Sequence, residues 1–441
     1  MSQKSDLVLT TTVGSEPSEF ATHDARVMTL RWVYPPGDQV TVLSSETVVL
    51  GRDPRATTRL DSSQVSRRHA EVRPSERGPV VHDLESRNGV FVNALRVQSA
   101  PLRAGDVLRL GDCVAVVEVV GPEGLAGFGE LAPGLFGGAA LRGVLKLAKR
   151  AATAGLNVVL QGETGTGKER FARALHGFSG RQGPFLAVNC AAYAESTISA
   201  ELFGYRRGAF TGAERASPGH VRAAHGGTLL LDEVLDLPFD LQAKLLRAIE
   251  QREVLPLGES EPVKVDVSFV AATQVPLAQA VQIGRFRPDL RARLEGFVLQ
   301  IPPLRARRAD VVPLFLTLLE QHGLRAPRLQ PALVERLCLH DWPMNVRELE
   351  NGARRLIATF DHERELRLED ASSWLEADRG PEAPLAASAA PRRRSSSAYE
   401  TDELEALKLS LERHGGNLTH AATELGITRA KAYRMLRTLK P

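Results

Sequence analysis

Residues 157–178, NVVLQGETGTGKERFARALHGF, leave few choices for the chain that contains them. An apolar run of strand length enters a glycine-rich turn, and a helical pattern follows the lysine. Glycines there let backbone N–H groups face a phosphate, while the helix N-terminus adds its dipole. Gly162, Glu163, Thr164, Gly165, Thr166, Gly167, Lys168 and Glu169 are therefore candidate nucleotide contacts, with Lys168 reaching the β- and γ-phosphates. The general P-loop pattern has Ser or Thr after the lysine, where this chain has Glu169. Downstream, residues 229–233, LLLDE, read as a buried strand ending in two carboxylates. Asp232 is placed to organise Mg²⁺, and Glu233 to orient or deprotonate the attacking water of ATP hydrolysis. A strand-end acidic pair can also cap a helix, but the P-loop upstream favours catalysis.

Around this motif the chain divides. From about 135 to 376, helical runs such as LRGVLKLAKRAA alternate with strand runs such as VSFVAAT, which specifies an α/β domain with a parallel sheet. Residues 26–120 carry short alternating runs (VMTLRWVY, TVVLGRD, VVHDL, GVFVN, VLRLG, VAVVEVV), the mark of an antiparallel all-β module. Residues 121–134, GPEGLAGFGELAPG, read as a linker; 377–399 read as a second, unable to build a core. A polar flexible tail, 1–25, precedes the β module, and an all-α segment, 400–441, closes the chain. Net charge is +3, so any polyanion-binding surface must be local. Three scattered cysteines without a CxxC pair argue against zinc and disulfides and fit a reducing cytosol. No run is long and apolar enough for a membrane span, so the expected location is cytoplasmic and no membrane partner is expected.

Three clusters lie between strand runs of the β module: Gly51-Arg52, Ser66-Arg67-Arg68-His69 and Ser86-Arg87-Asn88-Gly89. Arg and Ser converging on one end of a sandwich can hold a phosphate, and an Asn amide beside them an extended peptide. In order and spacing these clusters resemble the forkhead-associated (FHA) domain. The resemblance implies that Arg52 and Ser66 contact phosphothreonine, that Arg67 and Arg87 lie near the peptide and that Asn88 binds its main chain. It gives Gly51 and His69 bracing roles. Val90 and Ala94 stand where Thr and Gly are common.

The motif order over 135–376 resembles the AAA+ domain of sigma-54-dependent transcription activators (enhancer-binding proteins), in which the P-loop ordinarily ends Gly-Lys-Glu. By that resemblance Asn189 restrains Glu233, Thr273 is the first sensor, Arg347 the second, and Arg287 and Arg293 are arginine fingers. A finger supplied by a neighbouring molecule stabilises the phosphoryl-transfer transition state, so the resemblance implies a homo-oligomeric ring, typically a hexamer. Gln274 replaces the usual Asn beside the sensor, and Met344 the usual Gly of WPGNVREL. Residues 208–213, GAFTGA (Gly208, Ala209, Phe210, Thr211, Gly212, Ala213), match the loop that touches sigma-54 in this family. Small residues let such a tip turn sharply, and Phe210 supplies an apolar contact.

At the C-terminus, residues 415–440 show two short helical patterns around Gly426, with Thr428 a fitting N-cap and a basic second helix. That reads as major-groove binding or as a dimerising helical pair, and it resembles the Fis-type helix-turn-helix. Thr428, Arg429, Lys431 and Arg434 are the candidate DNA contacts. Assembled, the reading is a three-domain activator: an all-β FHA sandwich, an α/β AAA+ ATPase with a helical lid, and an all-α DNA reader. Its expected cofactors are ATP and Mg²⁺. Its expected partners are sigma-54 RNA polymerase holoenzyme, promoter-upstream DNA, and a phosphothreonine protein or Ser/Thr kinase. The rivals are a DNA-binding regulator that does not hydrolyse ATP and an AAA+ remodeller of another client.

Overall fold

Alternation of apolar and polar residues in the first module places Leu30, Trp32, Leu50, Val72, Leu108 and Leu110 in one buried layer between two sheets. The first sheet runs Val40–Leu43, Val27–Tyr34, Cys113–Val120, Val107–Leu110, Val90–Val92, Leu95–Val97. The second runs Thr58–Arg59, Val48–Gly51, Ala70–Arg73, Val80–Asp83, Ser99–Pro101, and only its Val48–Gly51/Thr58–Arg59 pair is parallel. The computed structural model describes residues 26–211, 213–325, 327–359 and 365–375. The tail 1–25, the linker 377–399 and the candidate DNA contacts Thr428, Arg429, Lys431 and Arg434 lie outside the described residues.

The second module is built on a five-stranded parallel sheet in the order Phe185–Asn189, Thr228–Asp232, Ser268–Thr273, Val158–Gln161, Phe297–Gln300. Its strands are short apolar runs because both faces are covered. Helices Ala139–Thr153 and Lys168–Ser179 pack on one face, Phe239–Glu250 and Pro288–Leu294 on the other. The carboxyl ends of the strands therefore share one edge, where open α/β sheets hold ligands. Helices Val311–Gln321, Pro331–Leu339, Asn345–Thr359 and Leu368–Leu375 form a lid around Trp342.

Two observations depart from the sequence reading. Residues 121–134 are not a free tether: Gly129–Ala132 pairs with Leu135–Gly137, and Phe128 packs against the lid core. Arg31 and Arg142 also bind its carbonyls, at Gly124 and Gly127. Glycine and proline there serve tight turns in a packed segment. The second departure is at the outer face of the first sheet, where Val33, Val107, Val114 and Val116 are buried against lid residues Leu304, Phe315, Leu333 and Leu337. The two modules share one core.

Candidate active site

The strand Val158–Gln161 delivers the chain into the P-loop, where Gly165 and Gly167 take φ of +75° and +99°. Those left-handed angles suit glycine and turn the loop back over the N-terminus of Lys168–Ser179. A cavity of about 400 Å³ opens there, lined among others by Thr164, Lys168, Asn189, Asp232, Glu233 and Arg347. The Lys168 ammonium is buried and donates to the Gly162 and Glu163 carbonyls at 2.9 and 3.3 Å. Burial pulls its pKa down, while Glu233 and Asp232 push it back up. Burial also raises the Asp232 carboxyl, with Lys168 opposing. Glu233 sits at φ 49°, strained for a residue with a side chain, and its Oε1 accepts from Gln274 Nε2 at 3.0 Å. Asn189 is the register partner of Asp232, and its Oδ1 accepts the Ala191 N–H at 2.9 Å.

Thr273 is buried, its hydroxyl donates to the Val275 carbonyl at 2.8 Å, and it is not among the residues lining the cavity. Gln274, read in the sequence only as a departure, is the residue that reaches Glu233. Sequence reasoning also missed Asn345. It is fully buried, donates to the Thr164 carbonyl at 3.0 Å and accepts the Leu304 N–H at 2.7 Å. Its position two residues before Arg347 was the available signal. Glu163 and Arg305 form a two-pronged pair, whose hydrogen bonds hold the carboxyl below its ordinary range. Met344 uses its backbone alone at the P-loop: its carbonyl faces Gly165 while its side chain is 42% exposed. Glu169 pairs with Arg173 one turn on.

Arg287 and Arg293 are absent from the cavity lining. Arg287 forks onto Asp289 at 3.1 and 2.8 Å, and Arg293 meets Glu250. The GAFTGA segment is a separate tip: Gly208 N–H donates to Ala213 O and Ala213 N–H to Phe210 O. Phe210 is 46% exposed and tilts against Tyr205, ring centroids 4.9 Å apart. Ala213 is buried, and Gly212 lies outside the described residues.

At the far end of the sandwich the three loop clusters converge. Arg52 N–H donates to Ser66 O at 3.0 Å, Ser66 Oγ accepts the Arg87 N–H at 3.1 Å, and Asn88 reaches the Gln64 carbonyl. The Ser66 hydroxyl thus keeps its own proton for another acceptor. Arg52, Arg67 and Arg87 are exposed. Burial lowers the His69 pKa, so the ring is neutral: Nδ1 accepts from Ser66 N–H, leaving Nε2 to donate to Gly89 O. At Gly51 a Cβ would stand 2.1 Å from Arg67 O, so only glycine lets these loops touch.

Compared with known families, residues 48–111 match the FHA domain and 136–300 the sigma-54 interaction domain. Residues 305–387 match the AAA+ ATPase lid domain, and 401–436 the Fis-family bacterial regulatory protein. The transcriptional regulatory protein FlbD of Caulobacter vibrioides is 38% identical over 370 residues, 80% of this chain and 81% of FlbD. The chain belongs to the sigma-54-dependent transcriptional regulators. The DNA-binding transcriptional regulator NtrC of a Bradyrhizobium species is 46% identical over 225 residues, covering 50% of this regulator and 47% of NtrC. The crystal structure of NtrX from Brucella abortus in complex with ADP aligns with a TM-score of 0.50 at 32% identity, over 68% of each chain. The regulator is accordingly an AAA+ ATPase with FHA and Fis-type modules. Among the described residues no helix is long and apolar enough to cross a membrane.

Proposed function

We propose that this regulator hydrolyses ATP to remodel a closed sigma-54 RNA polymerase–promoter complex, with input through phosphothreonine recognition. The observation that carries the reading is the pairing of one cavity, holding Lys168, Asp232 and Glu233, with a separate tip that exposes Phe210. The P-loop N–H groups and Lys168 bind the phosphates, Glu233 takes the proton of the attacking water, and Arg347 of the lid senses the γ-phosphate. Asn189, beside Asp232 in the cavity wall, restrains Glu233 before that. Mg²⁺ fits the donor set: Asp232 is a half-buried carboxylate in the cavity wall beside Glu233 and Thr166, and oxygen donors of this kind suit that ion. That ion would neutralise charge on the β- and γ-phosphate oxygens, with Asp232 among its holders. Arg287 and Arg293, outside the cavity of their own chain, are the fingers of an adjacent subunit, so the active form is a homo-oligomeric ring. The NtrX–ADP structure supports the nucleotide assignment.

Gly208–Ala213 carries the contact to sigma-54 holoenzyme, and Thr428, Arg429, Lys431 and Arg434 tether the regulator to DNA upstream of promoters. Permanganate reactivity on a sigma-54 promoter tests the whole reading. ATP-dependent opening by the wild type is expected, and Phe210→Ala should abolish opening while hydrolysis continues. Opening that survives the substitution would remove the tip from the mechanism.

Arg52, Ser66, Arg67, Arg87 and Asn88 form the phosphopeptide site. A hydrogen bond to a charged group is worth roughly 1.5–3 kcal/mol, so Arg52→Ala should weaken binding of a phosphothreonine peptide by about tenfold. Equal affinity for phosphorylated and plain peptides in the wild type would end this part of the proposal.

A further inference from the structure

An antiparallel sheet with one solvated face alternates apolar and polar residues. The strand Cys113–Val120 does not: Val114 and Val116 are as buried as Ala115 and Val117 on the opposite face. Its cover on the outer side is the lid, through Leu304, Phe315, Leu333 and Leu337. Polar contacts complete the seam. Glu335 of the lid helix Pro331–Leu339 is buried, and both its carboxylate oxygens are spent on the sandwich. Oε1 accepts the Ala94 N–H and Oε2 the Arg109 Nε, each at 2.7 Å. Arg109 in turn lies 3.7 Å over the Phe91 ring. Tyr34 accepts the Leu329 N–H at 3.0 Å, and Arg308 donates to the Gly105 carbonyl at 2.7 Å.

The same lid grips the P-loop. Asn345 donates to Thr164 O at 3.0 Å, and the Val346 N–H to Gly165 O at 3.0 Å. Arg307, next to Arg308 in sequence, points a buried guanidinium at Thr166 O.

We propose that the FHA domain is a fixed part of the ATPase lid that holds the lid on the P-loop, and that a bound phosphopeptide acts on this docked domain instead of releasing a detachable repressor. A domain whose outer sheet face is apolar exposes that face to water if it leaves, and the hydrogen bonds of Glu335 to Ala94 and Arg109 are lost with it. The strand Val90–Val92 supplies the physical link: it begins just after Asn88-Gly89 and ends at Asn93-Ala94, where the lid is held. The inference rests on the ATP site read above, and on phosphothreonine recognition only for the way the input arrives.

The test uses the full chain, comparing wild type with Val116→Glu, which opens the apolar seam, and with Glu335→Gln, which keeps shape but removes the charge facing Arg109. The readouts are kcat and KM for ATP, with hydrogen exchange followed in Pro331–Leu339 and Asn345–Thr359. Expected is loss of protection in both helices and a rise in KM of about tenfold, within the range of ordinary inter-site coupling. If Val116→Glu does not fold, Glu335→Gln alone decides, with a smaller shift in the same direction. Variants that lose protection at Pro331–Leu339 yet hydrolyse ATP with wild-type KM, or faster, overturn the proposal. Undetectable hydrolysis by the wild type would fault the reading of the ATP site and not the docking.

Discussion

Glu233→Gln lowers kcat for ATP hydrolysis by about a hundredfold or more, the range for losing a general base, and leaves nucleotide affinity near the wild-type value. Glutamine has the shape of glutamate and can still accept the Gln274 hydrogen bond through its amide oxygen. It cannot take a proton from water. The P-loop N–H groups and Lys168 are untouched, so binding and chemistry separate cleanly. Single-turnover hydrolysis beside equilibrium binding of a fluorescent nucleotide measures both. A kcat within a few-fold of wild type would show that Glu233 is not the base and would return the regulator to the class that binds nucleotide without using it.

Gly165→Ala has the second large effect, and here the cause is steric. A Cβ at this position stands 2.1 Å from the Met344 carbonyl oxygen and 3.0 Å from the Arg347 Cβ, with φ already at +75°. The lid backbone has to retreat, taking with it the Val346 N–H bond to Gly165 O and the seat of Arg347. Backbone strain of about 1–3 kcal/mol adds to the clash, and each kcal/mol shifts melting by roughly 2–4 °C in a domain of this size. Gly167→Ala is the matched control. Its φ is +99°, yet nothing stands within 4 Å of the added Cβ, so it carries the strain without the clash. Calorimetry and nucleotide titration should rank Gly165→Ala as the more damaging of the two. Equal effects would mean that the lid contact contributes nothing.

Much of the site is legible because it is local. The P-loop and the strand-end pair Asp232-Glu233 are runs of neighbouring residues whose backbone geometry follows from glycine, lysine and an apolar strand. The three sandwich loops were legible as a set, since strand alternation places them at one end. Gln274 was not. Gln274 lies just past the end of the strand Ser268–Thr273, and only the adjacency of that strand to Thr228–Asp232 brings it to Glu233. Asn345 was passed over because its partners, Thr164 and Leu304, are 181 and 41 positions away.

By itself, the sequence determined the elements and their chemistry: a nucleotide loop, an acidic strand end, a phosphate-ready set of arginines and a glycine-flanked aromatic tip. Only the tertiary structure decided that residues 121–134 are packed and that the sandwich and lid share a core. The run VAVVEVV shows apolar residues on both faces of a strand. Yet apolar burial is non-directional, so such a run says that two faces need cover without saying what covers them. Glu335 does name its partner, because a buried carboxylate requires donors at fixed positions, and those donors, Ala94 and Arg109, meet it only once the chain has folded.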